Sequence, residues 1–210
     1  DTETTSLDFN EAELVGFSIS YMDNHGFYCP LGHNSDADKN IPFDKAIKML
    51  KELFEHKGLT VVGQNFKYDM NVVKKYSINF KTSIEDTMLM SYVLNSGGKH
   101  DLGTLSSKFL DHEAISYEDV VGKGKDQITF ADVDIQKAVT YACEDSDLTL
   151  LLYGKLKSKL LKDKRLYDVY RSIEIKLMLI IAEMEYLGVS IDNKELDKQS
   201  NNLKKRIDKI

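Results

Sequence analysis

The sequence predicts a mixed α/β domain followed by an all-helical piece. Three observations carry this: an alternating apolar hairpin near the start, helical and strand periods taking turns through residue 161, and a uniformly helical, basic remainder. Residues 1–150 hold 14 basic and 25 acidic side chains, or −11. Residues 151–210 hold 14 and 9, or +5, a contrast hidden by the net charge of −6.

Leu14, Val15, Phe17 and Ile19 alternate, the turn Asp23-Asn24-His25-Gly26 follows, and Phe27-Tyr28-Cys29 resumes, which predicts a hairpin over 11–30. Residues 31–42 form a polar loop. From Asp44, the apolar residues Ala46, Ile47, Leu50, Leu53 and Phe54 take helical spacing until Gly58. Leu59 to Val62 reads as a short buried strand closed by Gly63. Helices are predicted over Asn65–Tyr76, Ile84–Leu94 and Leu102–Leu110, with 111–132 irregular. A long helix runs from about Val133 to Leu161, because Ile135, Ala138, Val139, Ala142, Leu148 and Leu151 keep one face apolar. Tyr167–Leu187 reads as one amphipathic helix, residues 188–192 as a break, and Lys194–Ile210 as a charged helix.

Composition excludes several classes. With 42% hydrophobic and 30% charged residues the chain can bury a core, and 2 prolines among 210 residues rule out collagen-like or mucin-like chains. Two cysteines, Cys29 and Cys143, cannot form a disulfide framework or a zinc cluster and suit a reducing, cytoplasmic compartment. The longest aliphatic stretch, Leu177 to Ala182, falls far short of the roughly 20 residues a membrane helix needs. The acidic, polar start is unlike a signal peptide.

Three segments could carry chemistry. In a strand, Asp1 and Glu3 would point to the same face, and two carboxylates so close are costly without a cation between them. Asn65 and Asp69 follow the strand that Gly63 closes and stand i, i+4 on the next helix; Tyr141 and Asp145 share the same spacing beside an apolar stripe. Each alone is also accounted for by an ordinary feature: a solvated terminus, an N-cap, a buried tyrosine bonded to an aspartate. Gly97-Gly98-Lys99-His100 lacks the upstream glycine of a phosphate loop, and the five histidines are scattered. Gly122-Lys123-Gly124-Lys125 fits a phosphate contact or a solvated loop equally.

Jointly, Asp-x-Glu on a first strand, Asn-x-x-x-Asp after a later one and Tyr-x-x-x-Asp on a late helix resemble the three motifs of the DEDDy 3′–5′ exonucleases. The chain is similar to the proofreading domain of family A DNA polymerases, the bacterial DNA polymerase I family. The similarity extends to Glu13-Leu14-Val15-Gly16, Asp86-Thr87-Met88-Leu89, Tyr92-Val93-Leu94-Asn95-Ser96, His100-Asp101-Leu102 and the 122–125 loop before Thr129-Phe130.

The resemblance implies a ribonuclease H-like exonuclease fold, with a mixed central sheet flanked by helices, over residues 1–163. It implies that 164–210 begin the polymerase domain as thumb helices of a longer chain. By position, Asp1, Glu3, Asp69 and Asp145 correspond to carboxylates binding two divalent cations, Mg²⁺ or Mn²⁺. Tyr141 matches a tyrosine that orients the attacking water, which Glu3 also borders. Leu7, Asn65, Tyr68, Lys99 and Tyr117 fall where the family contacts the 3′-terminal nucleotides of a single-stranded or frayed DNA end. Lys99 stands in place of the family's arginine and Tyr117 in place of its phenylalanine.

A cation pair of charge +4 neutralises four carboxylates, and an all-oxygen donor set selects such hard metals. The family's strand carries apolar residues ahead of the Asp-x-Glu motif. A free α-amino group on Asp1 is mostly cationic at neutral pH, so weaker metal binding is expected than in a chain extended upstream. The other readings are a catalytically silent, DNA-binding scaffold of the polymerase and a 3′–5′ exoribonuclease of the same superfamily.

Overall fold

The computed structural model describes residues 1–209; Ile210, placed by the sequence pattern in the last helix, lies outside the described residues. Strand β1 (Thr2–Thr4) pairs antiparallel with β2 (Leu14–Met22), which pairs antiparallel with β3 (His25–Pro30). Helix α1 (Phe43–Phe54) follows, then β4 (Thr60–Gly63), α2 (Lys67–Lys74), β5 (Ser83–Asp86), α3 (Thr87–Leu94), α4 (Leu102–Leu110) and α5 (Tyr117–Val121). The long α6 (Ile135–Leu160) leads to α7 (Lys164–Val169), a π-helical turn at Tyr170–Glu174, α8 (Ile175–Leu187) and α9 (Asn193–Ile207).

The hairpin, the 102–110 helix and the long helix fall where the hydrophobic periods place them. Four expectations are corrected. Ile84–Leu94 is not one helix: Ser83–Asp86 is a strand parallel to β4, and the helix begins only at Thr87, capped by Asp86. Residues 111–132 contain α5, held by a reciprocal capping box between Ser116 and Asp119. The fourth strand shifts to Thr60–Gly63 and is largely half-buried. Tyr167–Leu187 is two helices joined through the π turn.

Parallel and antiparallel pairing are both present, but in two sheets: β1-β2-β3 and β4-β5. A cavity of about 350 Å³ separates Ser18–Tyr21 of β2 from Val61–Gly63 of β4, floored by Leu50 and Phe54 of α1. That gap keeps the ladder from running continuously and leaves β4 partly open.

Helix α6 packs across both sheets. Ala138, Ala142, Leu148, Leu152, Leu156 and Leu160 are buried on one face, and Asp145 lies on that same face. Small residues permit the approach: a Cβ on Gly26 would lie 2.4 Å from the carbonyl oxygen of Cys143. Among the described residues, no helix is long and apolar enough to cross a membrane.

Candidate metal centre and its family

Three elements converge on the acidic centre. Strand β1 contributes Asp1 and Glu3, α2 contributes Asp69 in its first turn, and α6 contributes Tyr141 and Asp145. Asp1 is fixed to β2 by two bonds: its carbonyl accepts from Ser18 N at 2.9 Å and its backbone nitrogen donates to Ser18 O at 3.1 Å. Glu3 pairs in register with Gly16. The missing side chain there matters, since a Cβ on Gly16 would lie 2.1 Å from the Tyr28 hydroxyl, which bonds His33 Nε2 at 2.8 Å.

Carboxylate oxygens of Asp1, Glu3 and Asp145 lie within 4.8 Å of one another. Glu3 is buried, yet its Oε1 has no hydrogen-bond partner. A buried carboxylate oxygen left bare beside two others is poorly placed unless a cation joins them. The residues thus fit a divalent metal: all donors are oxygen, and neither histidine nor cysteine enters the group. Asp69 stands just outside it. Its Oδ1 accepts from Thr2 N at 2.8 Å and from Thr2 Oγ1 at 2.5 Å, which ties α2 to β1.

Charge regulation follows from the burial. Loss of solvent is the main cause that pushes the Glu3 carboxyl up to about 8, and the Asp145 charge adds to it. Asp145 is pushed up to about 7, again chiefly by burial, while the Tyr141 hydroxyl favours its ionised form. Burial also raises Asp69, against the hydrogen bonds from Thr2. Tyr141 is raised above the ordinary tyrosine range, first by burial and then by the Asp145 and Glu3 charges.

A carboxyl whose folded pKa exceeds its unfolded value binds protons more tightly when folded, so stability falls as pH rises between the two values. For Glu3 that window runs from 4.5 to about 8. In EDTA, the Tm of the wild-type chain should therefore fall relative to that of Glu3→Gln across this window and level off above it. Parallel Tm profiles for the two chains would contradict the burial of an ionisable Glu3.

The structure places the remaining sequence-derived candidates unequally. Tyr68 is half-buried; its hydroxyl donates to the Ser6 carbonyl and lies 2.5 Å from Thr4 Oγ1. Tyr117 starts α5, stacks on Phe130 with centroids 6.3 Å apart, and meets Tyr141 edge-on at 6.3 Å. Leu7, 88% exposed, projects from the loop after β1. Asn65 is not on α2: it precedes the helix in left-handed backbone at φ 56°, so the i, i+4 argument linking it to Asp69 does not hold. Lys99 is exposed on the α3–α4 loop, with no hydrogen bond or ion pair to the carboxylates among the described residues.

The sequence assigns no role at the site to Thr2 or Tyr28, and Asp86 enters it only within the segment Asp86-Thr87-Met88-Leu89 that carries the resemblance. Of the three, Asp86 carries a local signal, an Asp one residue ahead of the apolar run Met88-Leu89-Met90, which marks a helix start.

A mixed α/β core thus brings carboxylates from a strand and a helix together at a candidate metal site. The chain belongs to the 3′–5′ exonuclease family, which matches residues 1–161. It is 42% identical to DNA polymerase I of Rhizobium leguminosarum, over 97% of this chain and 22% of the relative. Against DNA polymerase I of Pseudomonas aeruginosa it is 39% identical, over 97% of this chain and 23% of the relative. It spans about a fifth of the length of these curated relatives.

Among solved structures, the POL domain of Pol1 from M. smegmatis in complex with DNA primer-template and dNTP superposes with a TM-score of 0.71. That match has 18% identity and covers 94% of this chain and 30% of the other. Brucella melitensis NrnC with bound Mg²⁺ gives a TM-score of 0.65 at 19% identity, covering 90% of this chain and 84% of the other. At these identities the structures show a shared fold.

Proposed function

We propose that the chain is the proofreading exonuclease of a DNA polymerase I, removing nucleotides from the 3′ end of single-stranded or frayed DNA. The observation that carries this reading is the meeting of Asp1, Glu3 and Asp145, whose carboxylate oxygens lie within 4.8 Å of one another, with Glu3 buried and its Oε1 without a hydrogen-bond partner, in a chain of the 3′–5′ exonuclease family. Residues 1–163 form the exonuclease domain, and 164–210 begin the polymerase domain. As part of that polymerase it acts in the cytoplasm.

Asp1, Glu3, Asp69 and Asp145 would hold two divalent cations, Mg²⁺ or Mn²⁺; Mg²⁺ is the ion bound in the similarly folded NrnC. When bound, such a pair activates water and neutralises charge on the leaving 3′-oxygen. The protein's own part is positioning. Thr2 fixes the Asp69 carboxylate and ties α2 to the strand that bears Asp1 and Glu3. Tyr141 keeps its proton at neutral pH, so it orients the attacking water by hydrogen bonding and carries no charge. Glu3 borders the same water.

Tyr68 and Tyr117 present rings beside the centre on which terminal bases can stack. Exposed Leu7 and Asn65 complete the grip on the last nucleotides, and Lys99 meets phosphate farther out. Tyr141→Phe should slow cleavage far less than loss of a metal-binding carboxylate, about tenfold, because one aligning bond is removed and every ligand stays. Equal losses in single-turnover assays would mean that another group positions the water.

The test is incubation of the chain with 5′-labelled single-stranded DNA and Mn²⁺. A ladder shortened stepwise from the 3′ end, absent with EDTA, supports the reading. An intact strand supports the silent scaffold, and faster shortening of a matched RNA supports the exoribonuclease.

A further inference from the structure

Asp86 is 1% exposed, and its carboxylate holds two helix starts at once. Its Oδ1 accepts from Leu89 N at 3.0 Å, capping α3, and its Oδ2 accepts from Phe66 N at 2.8 Å, at the entry to α2. Helix N-termini favour negative charge, so one buried anion satisfies both. The turn it pins contains Asn65 at φ 56°, a left-handed conformation that asparagine tolerates better than most side chains. Three residues beyond Phe66 stands Asp69.

A second grip on this turn comes from the C-terminal helices. Tyr170, wholly buried, donates its hydroxyl proton to Glu85 Oε2 at 2.6 Å and accepts from Asp86 N at 3.0 Å. Arg171 Nη1 and Lys157 Nζ lie 3.4 Å and 3.6 Å from Glu85 Oε1. Tyr170 opens the π-helical turn, a helical irregularity that often accompanies function. A continuous chain of contacts therefore runs from the helices after residue 164 through β5 to the start of α2.

We propose that Asp86 and Tyr170 are positioning residues for the metal centre, through which the C-terminal helices set the placement of Asp69. This rests on the reading of the carboxylates as a cation site. Neither residue is a ligand; both act on where α2 begins, and a ligand must be held to within about 0.5 Å to serve.

The test uses the full chain. Tyr170→Phe removes the hydroxyl and keeps the ring, and Asp86→Asn keeps one acceptor. Mn²⁺ affinity, read from the EPR signal of free Mn²⁺, should weaken about threefold in Tyr170→Phe and about tenfold in Asp86→Asn. Amide hydrogen exchange at Phe66 should quicken in both. Leu105→Val, a buried substitution on α4, should lower Tm and leave both readouts unchanged. Unaltered exchange at Phe66 in Tyr170→Phe, or equal weakening of Mn²⁺ binding in Leu105→Val, overturns the proposal. If the wild-type chain binds no Mn²⁺, the metal-site reading fails instead, and exchange at Phe66 alone decides whether the coupling exists.

Discussion

Replacing Asp145 by alanine should abolish cleavage, by a factor on the order of a thousand or more, and leave the metal-free chain at least as stable as the wild type. The two halves of this expectation share a cause. Asp145 is buried beside Glu3: loss of solvent pushes the Asp145 carboxyl up to about 7 and, with the Asp145 charge adding to it, the Glu3 carboxyl up to about 8. Removing one relieves the repulsion in the absence of metal and deletes a ligand in its presence. Added Mn²⁺ should raise the Tm of the wild type and not of the variant. A Tm loss in EDTA comparable to that of a core leucine truncation, about 2–5 kcal/mol, would mark Asp145 as a structural residue.

The largest effect on stability is expected at Gly26. Its φ is unexceptional, so the requirement is steric: a Cβ would stand 2.4 Å from Cys143 O and 2.6 Å from Cys143 Cα. Backbone cannot yield as a flexible side chain does. Gly26→Val must therefore push β3 off α6, at a cost of about 3 kcal/mol, lowering Tm by about 6–12 °C. Because Cys143 sits between Tyr141 and Asp145, the same shift displaces the metal centre, and Mn²⁺ affinity should fall with Tm. Gly154→Ala supplies the comparison. Nothing lies within 4 Å of a Cβ there, and alanine in a helix interior is favoured over glycine by about 0.5–1 kcal/mol, so Tm should rise. Equal Tm values for Gly26→Val and the wild type would show that the hairpin does not dock against α6.

Elements with a clear apolar period are legible in the sequence, and those held by distant partners are not. The stripe from Ile135 through Leu151 specifies α6, and it also places Asp145 near the buried face. β5 offers one apolar residue in four, Ile84, and its burial comes from pairing with β4, which no local pattern reports. The π turn is equally hidden: it opens at Tyr170, whose hydroxyl bonds Glu85 across 85 positions of chain, a partner that no local pattern reports.

The candidate site divides along the same line. Asp1 and Glu3 were legible as a same-face pair and Tyr141 and Asp145 as one helix face. Thr2, which fixes Asp69 across 67 positions, was not. Asn65 misled because an i, i+4 spacing was read across a helix start that lies two residues later, at Lys67.

Calorimetric titration of Mn²⁺ into the wild-type chain and into Glu3→Gln tests most directly whether these buried carboxylates hold divalent cations. The expected result is saturable binding by the wild type, with release of protons at pH 7 because Glu3 and Asp145 are partly protonated there, and binding at least tenfold weaker in Glu3→Gln. Identical isotherms for the two chains, or binding by the wild type with no proton release, would contradict it.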